Sequence, residues 1–87
     1  MNNILSIKEH IVSSVRKRRK EAKLSQLELS KKAGVSLGSL KRFETAGEIS
    51  LTSLVKIAFA LGYESDFSQL FVRKNYQSIE DVINEIQ

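Results

Sequence analysis

Apolar side chains recur along this chain at the three- and four-residue spacing of amphipathic helices. The first series, Ile4, Ile7, Ile11 and Val15, predicts a helix over residues 6–23 with one apolar stripe. Similar series predict a second helix between residues 25 and 34, a third over residues 37–45, a fourth over residues 51–61 and a short fifth after residue 65. The chain is therefore expected to be all-α.

Local signals predict where these helices begin and end. Ser25 followed by Glu28 has the spacing of a capping box, in which a hydroxyl and a carboxylate satisfy free backbone N–H groups. Gly34 can adopt the left-handed conformation that ends a helix, and Ser36 can cap the next one. Ser65 is expected to cap the fifth helix, which is predicted to contain Phe67, Leu70 and Phe71. Two short helices joined by a tight turn at Gly34 form a helix-turn-helix unit.

A single domain of 87 residues can bury a modest core. Leu40 and Phe43 are expected to be buried on the third helix, and Phe59, Phe67 and Phe71 are further core candidates. The fourth helix is expected to bury a wide face that comprises Leu51, Leu54, Val55, Ile57, Ala58 and Leu61.

The ending of the chain has a pattern of its own. Ser78 and Asp81 have the spacing of another cap, and they introduce a predicted C-terminal amphipathic helix. Its apolar face comprises Ile79, Val82, Ile83 and Ile86. We expect this tail, residues 72–87, to pack on a second copy of the chain or on a different protein, and packing on its own domain, residues 1–71, is the alternative.

Composition excludes several classes of protein. The chain has no Cys and a single His10, so we expect no disulfide, no thiolate metal site and no zinc site. Neither a Gly-rich phosphate loop nor a nucleophile with a matching base is present, so no enzyme and no cofactor are expected. No apolar stretch reaches the ~20 residues of a membrane span and no signal peptide opens the chain, which indicates a cytoplasmic protein without membrane contact.

Charge is distributed unevenly along the chain. The net charge is +4, with +7 over residues 1–47 and −3 over residues 48–87. The amino-terminal half is therefore the candidate surface for a polyanion. Residues 16–20 are five consecutive cations that cannot all point in one direction on a helix. Each of them is either part of a solvated surface or a phosphate contact.

Several short motifs form one pattern between residues 15 and 47: Val15, Arg16, Arg19, Leu24, Ser25, Gln26, Leu29, Ala33, Gly34, Val35, Ser36, Leu40, Phe43, Glu44 and Gly47. Together they resemble the phage-repressor-like helix-turn-helix family, also called the Cro/C1 or XRE family. The resemblance runs from about residue 11 to residue 71 and implies a five-helix bundle with a central helix-turn-helix. Two positions depart from the family: Ser30, where Ala is usual, and Lys23, where Gly is frequent, so a less sharp first turn is expected.

The resemblance implies binding of double-stranded DNA, with the third helix in the major groove. Lys41 and Leu37 are the favoured base readers, and Arg42 is favoured for phosphate. Gly38 is either a plain surface position or a point of close approach to a base pair. The implied base-reading face comprises Leu37, Gly38, Ser39, Lys41 and Arg42.

Other residues are assigned to the DNA backbone or to the fold. The expected phosphate contacts are Gln26 and Ser36, at the starts of the two central helices, together with Arg16 and Lys17. Arg19 and Glu44 resemble a partly buried ion pair that ties the first helix to the third.

These assignments indicate a transcriptional regulator, and a repressor that binds a palindromic operator as a homodimer is the leading hypothesis. Two recognition helices would then read half-sites ~34 Å apart. The expected dimer interface comprises Tyr63, Phe67, Leu70 and Phe71. Two alternatives stay open: an antitoxin that binds a cognate toxin through its tail and represses its own operon, and a protein-interaction module that kept the fold without DNA binding.

Overall fold

The computed structural model describes residues 3–72, and all regular structure in that range is helical. The elements are α1 (Ile4–Glu21), α2 (Gln26–Ala33), α3 (Leu37–Ala46), α4 (Leu51–Leu61) and α5 (Ser65–Ser68). The prediction of an all-α chain with five helices is confirmed over these residues. The amphipathic helix predicted for the ending lies outside the described residues.

Side-chain hydrogen bonds define the starts of the two central helices. The Ser25 hydroxyl accepts the backbone N–H of Glu28 at 3.0 Å, and the Glu28 carboxylate accepts the backbone N–H of Ser25 at 2.9 Å. The Ser36 hydroxyl accepts the backbone N–H of Ser39 at 3.1 Å. Gly34 ends α2 in the left-handed conformation, with φ 71°. The predicted capping box, turn glycine and second cap are all confirmed, and each cap is worth about 1 kcal/mol of stability.

The ends of α1 differ from the prediction. The helix begins at Ile4 because the Asn3 side chain caps it, accepting the backbone N–H of Ser6 at 2.8 Å. It ends at Glu21, and Lys23 in the following turn has φ 60°. This lysine therefore adopts the left-handed conformation that glycine favours, at a cost of about 1–2 kcal/mol. The expectation of a less sharp turn without glycine was wrong.

The predicted fifth helix is shorter than expected. Ser65 is the first residue of α5 rather than its cap, and the preceding Glu64 makes no side-chain capping bond. After Ser68 the backbone continues in turns closed by bonds between residues three apart, such as Leu70 N–H to the Phe67 carbonyl at 3.3 Å. Such tighter turns end an α-helix. The prediction that Leu70 and Phe71 belong to this helix was wrong.

The buried core lies at the centre of the helix-turn-helix unit. Leu40 and Phe43 of α3 are buried as predicted, at 0% and 2% exposure, and they pack with apolar side chains of α2 and α4. Ser30 is buried too, but its hydroxyl donates to the Leu27 carbonyl at 2.7 Å, which accommodates the departure from alanine. The five buried residues of this cluster are Leu29, Val35, Leu40, Phe43 and Ile57.

Three core candidates lie on the surface instead. Leu51 is 69% exposed and Phe59 is 63% exposed, while Phe71 is fully exposed. Leu51 is in the first turn of α4, and Phe59 is two residues, or about 200° of helix rotation, after the buried Ile57, so it lies on the opposite side of α4 from the core. Phe71 is in the turn after α5, and none of the helices in residues 3–72 covers it. These burial predictions were wrong because apolar character alone does not fix the packed face.

Candidate nucleic-acid interface

Helix α3 presents one polar face away from the core. Gly38, Lys41, Arg42 and Thr45 follow the three- and four-residue spacing of a single helix face, and all four are exposed. The opposite face carries the buried core residues of the helix. Of the predicted base readers, Leu37 and Ser39 lie at the edges of the exposed stripe and are half-buried. The structure adds Thr45 to this stripe, although its hydroxyl donates to the Lys41 carbonyl at 2.6 Å.

The first turn of α3 is slim. Gly38 has no side chain, and nothing lies within 4 Å of the position a Cβ would occupy there. The hydroxyl of Ser36 donates to that of Ser39 at 2.8 Å, which holds both small side chains close to the helix start. An α-helix with side chains is about 10–12 Å across, and the DNA major groove is about 12 Å wide. The exposed face of α3 can therefore enter such a groove.

Glu44 anchors α3 to α1 from the inner side. This residue is only 5% exposed, and the guanidinium of Arg19 contacts both carboxylate oxygens, Nε at 2.8 Å and Nη2 at 3.0 Å. A third Arg19 nitrogen, Nη1, donates to the Leu24 carbonyl at 2.9 Å. Bidentate hydrogen bonds between an arginine and a carboxylate are among the strong hydrogen bonds of proteins. Arg19 thus ties α3 to α1 and to the turn before α2.

Two further side chains reach the same carboxylate. The Nε of Arg16 lies 3.4 Å from Glu44 Oε1, and its Nη2 donates to the Glu44 backbone carbonyl at 2.9 Å. The amide of Gln26 donates to Oε1 at 3.0 Å. Helices α1, α2 and α3 therefore meet at one carboxylate.

This internal role of Arg16 and Gln26 was missed by the sequence reasoning, which assigned both residues to DNA phosphate. For Arg16 a signal was present, because it lies three residues before Arg19 and so on the same side of the helix. For Gln26 there was no local signal, since its contact with Glu44 depends on how α2 packs against α3. Their contact with phosphate stays a prediction.

The surroundings of Glu44 keep it charged. Burial by itself raises the pKa of Glu44, but hydrogen bonds from Arg19, Gln26 and Arg16 and the positive charge of Arg19 outweigh that effect. The pKa of this carboxyl is therefore below its ordinary value. At neutral pH the position of α3 is thus fixed by charge-assisted hydrogen bonds.

Several cations remain available to an external polyanion. Lys17, Lys41 and Arg42 are exposed, and none of the ion pairs within residues 3–72 includes any of them. By contrast, Arg18 pairs with Glu21 at 2.6 Å. The cation run on α1 is therefore divided between internal contacts and the surface.

The predicted dimer residues surround the end of α4. Tyr63 is 40% exposed and lies beneath the guanidinium of Arg18, which is 5.2 Å from the ring centre. Tyr63, Phe67 and Leu70 line one groove, whereas the fully exposed Phe71 lies outside it. The structure thus brings three of the four residues together.

The part of the chain that the structure describes contains neither a cluster of potential metal ligands nor a helix long and apolar enough to cross a membrane.

A slim, polar helix face on the second helix of a helix-turn-helix defines a DNA-binding domain. A family model described as helix-turn-helix matches residues 15–67, which is more than half of the chain. The chain therefore belongs to the Cro/C1-type, or XRE, helix-turn-helix family of DNA-binding regulators, as the motif residues predicted. No curated protein and no solved structure matches the chain.

Proposed function

We propose that this chain is a sequence-specific transcriptional repressor that binds a palindromic operator as a homodimer. The proposal rests on the exposed stripe of α3, on which Lys41 and Arg42 form no ion pair within residues 3–72. On the opposite side of the helix, the buried Glu44 carboxylate accepts hydrogen bonds from Arg19 and Gln26. A nearby acidic group would repel DNA if it were exposed, but the charge of Glu44 is balanced internally. The outer surface of α3 is therefore positive.

Base reading is assigned to the exposed face of α3 and its edges. Lys41 can donate to the two acceptors of a guanine, Leu37 can contact a thymine methyl group, and Ser39 can donate or accept. A good pair of hydrogen bonds to one base contributes about 1–3 kcal/mol of discrimination. Gly38 would let the helix backbone approach the bases, and Arg42 would hold a phosphate beside them.

Phosphate contacts are assigned to two helix starts and to α1. Because the Gln26 amide already donates to Glu44, its helix would hold phosphate mainly through backbone N–H groups at the start of α2. Ser36 caps α3, and the backbone N–H groups at the start of that helix can hold a phosphate as well. Lys17 is exposed, and the Arg16 side chain is 44% exposed, so both can reach a phosphate from α1. These contacts fix the orientation of α3 but carry no sequence information.

Dimerisation is assigned to the surface formed by Tyr63, Phe67, Leu70 and Phe71. A single recognition helix contacts only a few base pairs, whereas two helices related by a two-fold axis read half-sites ~34 Å apart and add their binding energies. Exposed aromatic and aliphatic side chains of this kind are typical of the centre of a protein interface. Sedimentation is expected to show a dimer at micromolar concentration, and a monomer that binds a single operator tightly without pairing there would contradict the assignment.

Selection of bound fragments from a random DNA pool tests the proposal. We expect enrichment of two inverted half-sites whose centres are about 34 Å or a multiple of that apart. The triple variant Leu37→Ala, Lys41→Ala, Arg42→Ala should not enrich this site, whereas the control Lys31→Ala, Lys32→Ala, which removes as much charge from α2, should. Equal enrichment by both variants would contradict the assignment of base reading to α3.

The direction of regulation is tested with a reporter gene. A promoter that overlaps the selected operator should lose output when the chain is expressed, and increased output would contradict repression. The antitoxin alternative depends on the ending from Arg73, which lies outside the described residues.

A further inference from the structure

An apolar groove of about 450 Å³ runs between α1 and α4. Lys8 of α1 pairs with Glu48, just before α4, and Arg18 of α1 lies over Tyr63, just after α4, so the two helices run side by side in the same direction. The region around α5 closes one end of the groove. Its apolar lining includes Ile11, Val15, Leu51, Leu54, Leu61 and Leu70.

This groove is not filled by the described residues. Ile11 is 38% exposed, Leu70 is 51% exposed and Leu51 is 69% exposed, although all three line the groove. Ile7, one helical turn before Ile11, is 46% exposed and extends the apolar surface along α1. A continuous apolar surface of this kind marks a site where another element packs.

The sequence of the chain itself contains a segment that fits the groove. Ile79, Val82, Ile83 and Ile86 have the i, i+3, i+4, i+7 spacing with which an amphipathic helix occupies an apolar groove. Residues 78–86 would form a helix roughly 13 Å long, against roughly 16 Å for the 11 residues of α4 that line one wall. The segment therefore matches the groove in chemistry and in length.

Chain connectivity places this segment near the groove. Leu70 is already part of the groove wall, and residues 73–77 are a connection of five residues that can reach about 17 Å. Helix-to-helix connections of 2–8 residues are usual in helical bundles. Because the segment is tethered, its effective concentration at the groove is of millimolar order.

Charge attracts the segment to the domain as a whole but does not by itself select the groove, whose charged lining residues are Arg18 and Asp66. Glu80, Asp81 and Glu85 make residues 78–87 an acidic segment without a Lys or Arg, whereas the whole chain has a net charge of +4. The rest of the chain is therefore more positive than that total and attracts the segment. When the apolar stripe faces the groove, Asp81 and Asn84 lie on the opposite, solvent-facing side of the predicted helix.

We propose that residues 78–86 dock as an amphipathic helix into the groove between α1 and α4 of their own chain. Tyr63, Phe67 and Leu70 also belong to the dimer surface proposed above, so a docked segment and a second copy compete for these three side chains. The tail thereby regulates how readily the DNA-binding domain dimerises. Docking itself does not depend on the DNA-binding proposal.

Paramagnetic broadening in NMR spectra of the full chain tests this docking. The chain has no Cys, so Asp81→Cys provides a single site for a nitroxide on the solvent-facing side of the segment. In ¹⁵N-labelled chain that carries the nitroxide, diluted with unlabelled chain, we expect the amides of Ile11, Leu54 and Leu61 to broaden more than that of Gly38, which does not line the groove. In a second sample the nitroxide is on the unlabelled chain only, and we expect no such broadening.

Two variants with the same change of charge complete the test. Val82→Asp, which places a charge on the apolar face, should abolish the broadening, and Asn84→Asp, on the opposite face, should leave it unchanged. Broadening only in the second sample would show that the segment binds another copy and would overturn the proposal. Absence of broadening in both samples, or broadening that survives Val82→Asp, would also overturn it. None of these readouts requires DNA.

Discussion

Replacing Glu44 by Gln removes the charge around which three helices meet, while it preserves the size of the side chain. The variant leaves Arg19, whose side chain is only 11% exposed, without its counter-ion. Removing one partner of a buried ion pair costs about 3–5 kcal/mol. Two contacts limit the cost: the glutamine oxygen still accepts a hydrogen bond, and the Arg16 side chain, which is 44% exposed, can turn towards solvent. We therefore expect the free energy of unfolding to fall by about 2–3 kcal/mol.

A loss of this size is measurable without unfolding the chain. Domains of 87 residues typically have a free energy of unfolding of about 4–13 kcal/mol. The expected loss lowers Tm by about 10–20 °C. Urea unfolding followed by far-ultraviolet circular dichroism is the appropriate assay, because the described fold is helical and the chain has no Trp.

The matched control is Glu48→Gln, which removes the same charge from the surface. The Glu48 side chain is 55% exposed and pairs with Lys8 at 3.0 Å, so its loss should cost less than about 1 kcal/mol. If Glu44→Gln costs no more than Glu48→Gln, the role of Glu44 in fixing α3 is refuted.

The effect of Glu44 should also depend on pH in a defined direction. The pKa of Glu44 is lower in the folded chain than in the unfolded chain, where it is about 4.3. The stability that ionised Glu44 contributes is therefore complete above about pH 4.3 and is lost as the pH falls through the pKa of the folded chain. The pKa values of Glu28 and Glu48 are lowered too, by hydrogen bonds from Ser25 and Lys8 respectively, and these effects persist in the variant. The difference in the free energy of unfolding between the original chain and Glu44→Gln should therefore be constant from about pH 6 to 8 and should become smaller below about pH 4.

Three further substitutions change the conformational freedom of the backbone and a fourth is a control; the effect of each is measured by urea unfolding. Lys23→Gly should stabilise the chain by about 1 kcal/mol, because Lys23 has φ 60°. The control Lys20→Gly, within α1, should destabilise it by a similar amount. If both variants changed the free energy of unfolding in the same direction, the left-handed conformation of the turn would be contradicted. Gly38→Ala should stabilise α3 by up to about 1 kcal/mol, and if operator affinity then falls, Gly38 is a point of close approach to DNA rather than a plain surface position. Gly47→Ala should destabilise the chain by more than about 1 kcal/mol, because Gly47 has φ 69°, a conformation that strains any residue with a Cβ, and the added Cβ would lie only 3.3 Å from Lys8 Cβ; an unchanged urea midpoint would contradict this.

Features set by neighbouring residues were predictable from the sequence. The capping box of Ser25 and Glu28 and the left-handed turn at Gly34 depend on hydrogen bonds and backbone preferences within a few residues. The pairing of Arg19 with Glu44 came from the family resemblance, and the structure brings the two residues together.

Features that depend on packing were not predictable in the same way. The contact between Gln26 and Glu44 requires α2 and α3 to cross at a particular place, and no local pattern encodes that crossing. The exposure of Phe59 also depends on packing, because the core lies on the side of α4 that carries Ile57, and Phe59 is about 200° around the helix from it. Lys23 shows a third limit: the turn imposes a left-handed conformation that its residue type disfavours.

The operator affinity of two single-lysine variants shows whether α3 reads DNA. Lys41 lies on the exposed stripe of α3 and Lys56 is exposed on α4, so Lys41→Ala and Lys56→Ala remove the same charge from different surfaces. In fluorescence anisotropy with the selected operator at fixed salt, Lys41→Ala should raise Kd roughly 5- to 150-fold and relax the preference at one base pair, as expected for loss of about 1–3 kcal/mol. Lys56→Ala should change Kd less than about twofold. Equal changes in Kd for the two variants, with the base preference retained in both, would contradict the assignment of DNA reading to α3.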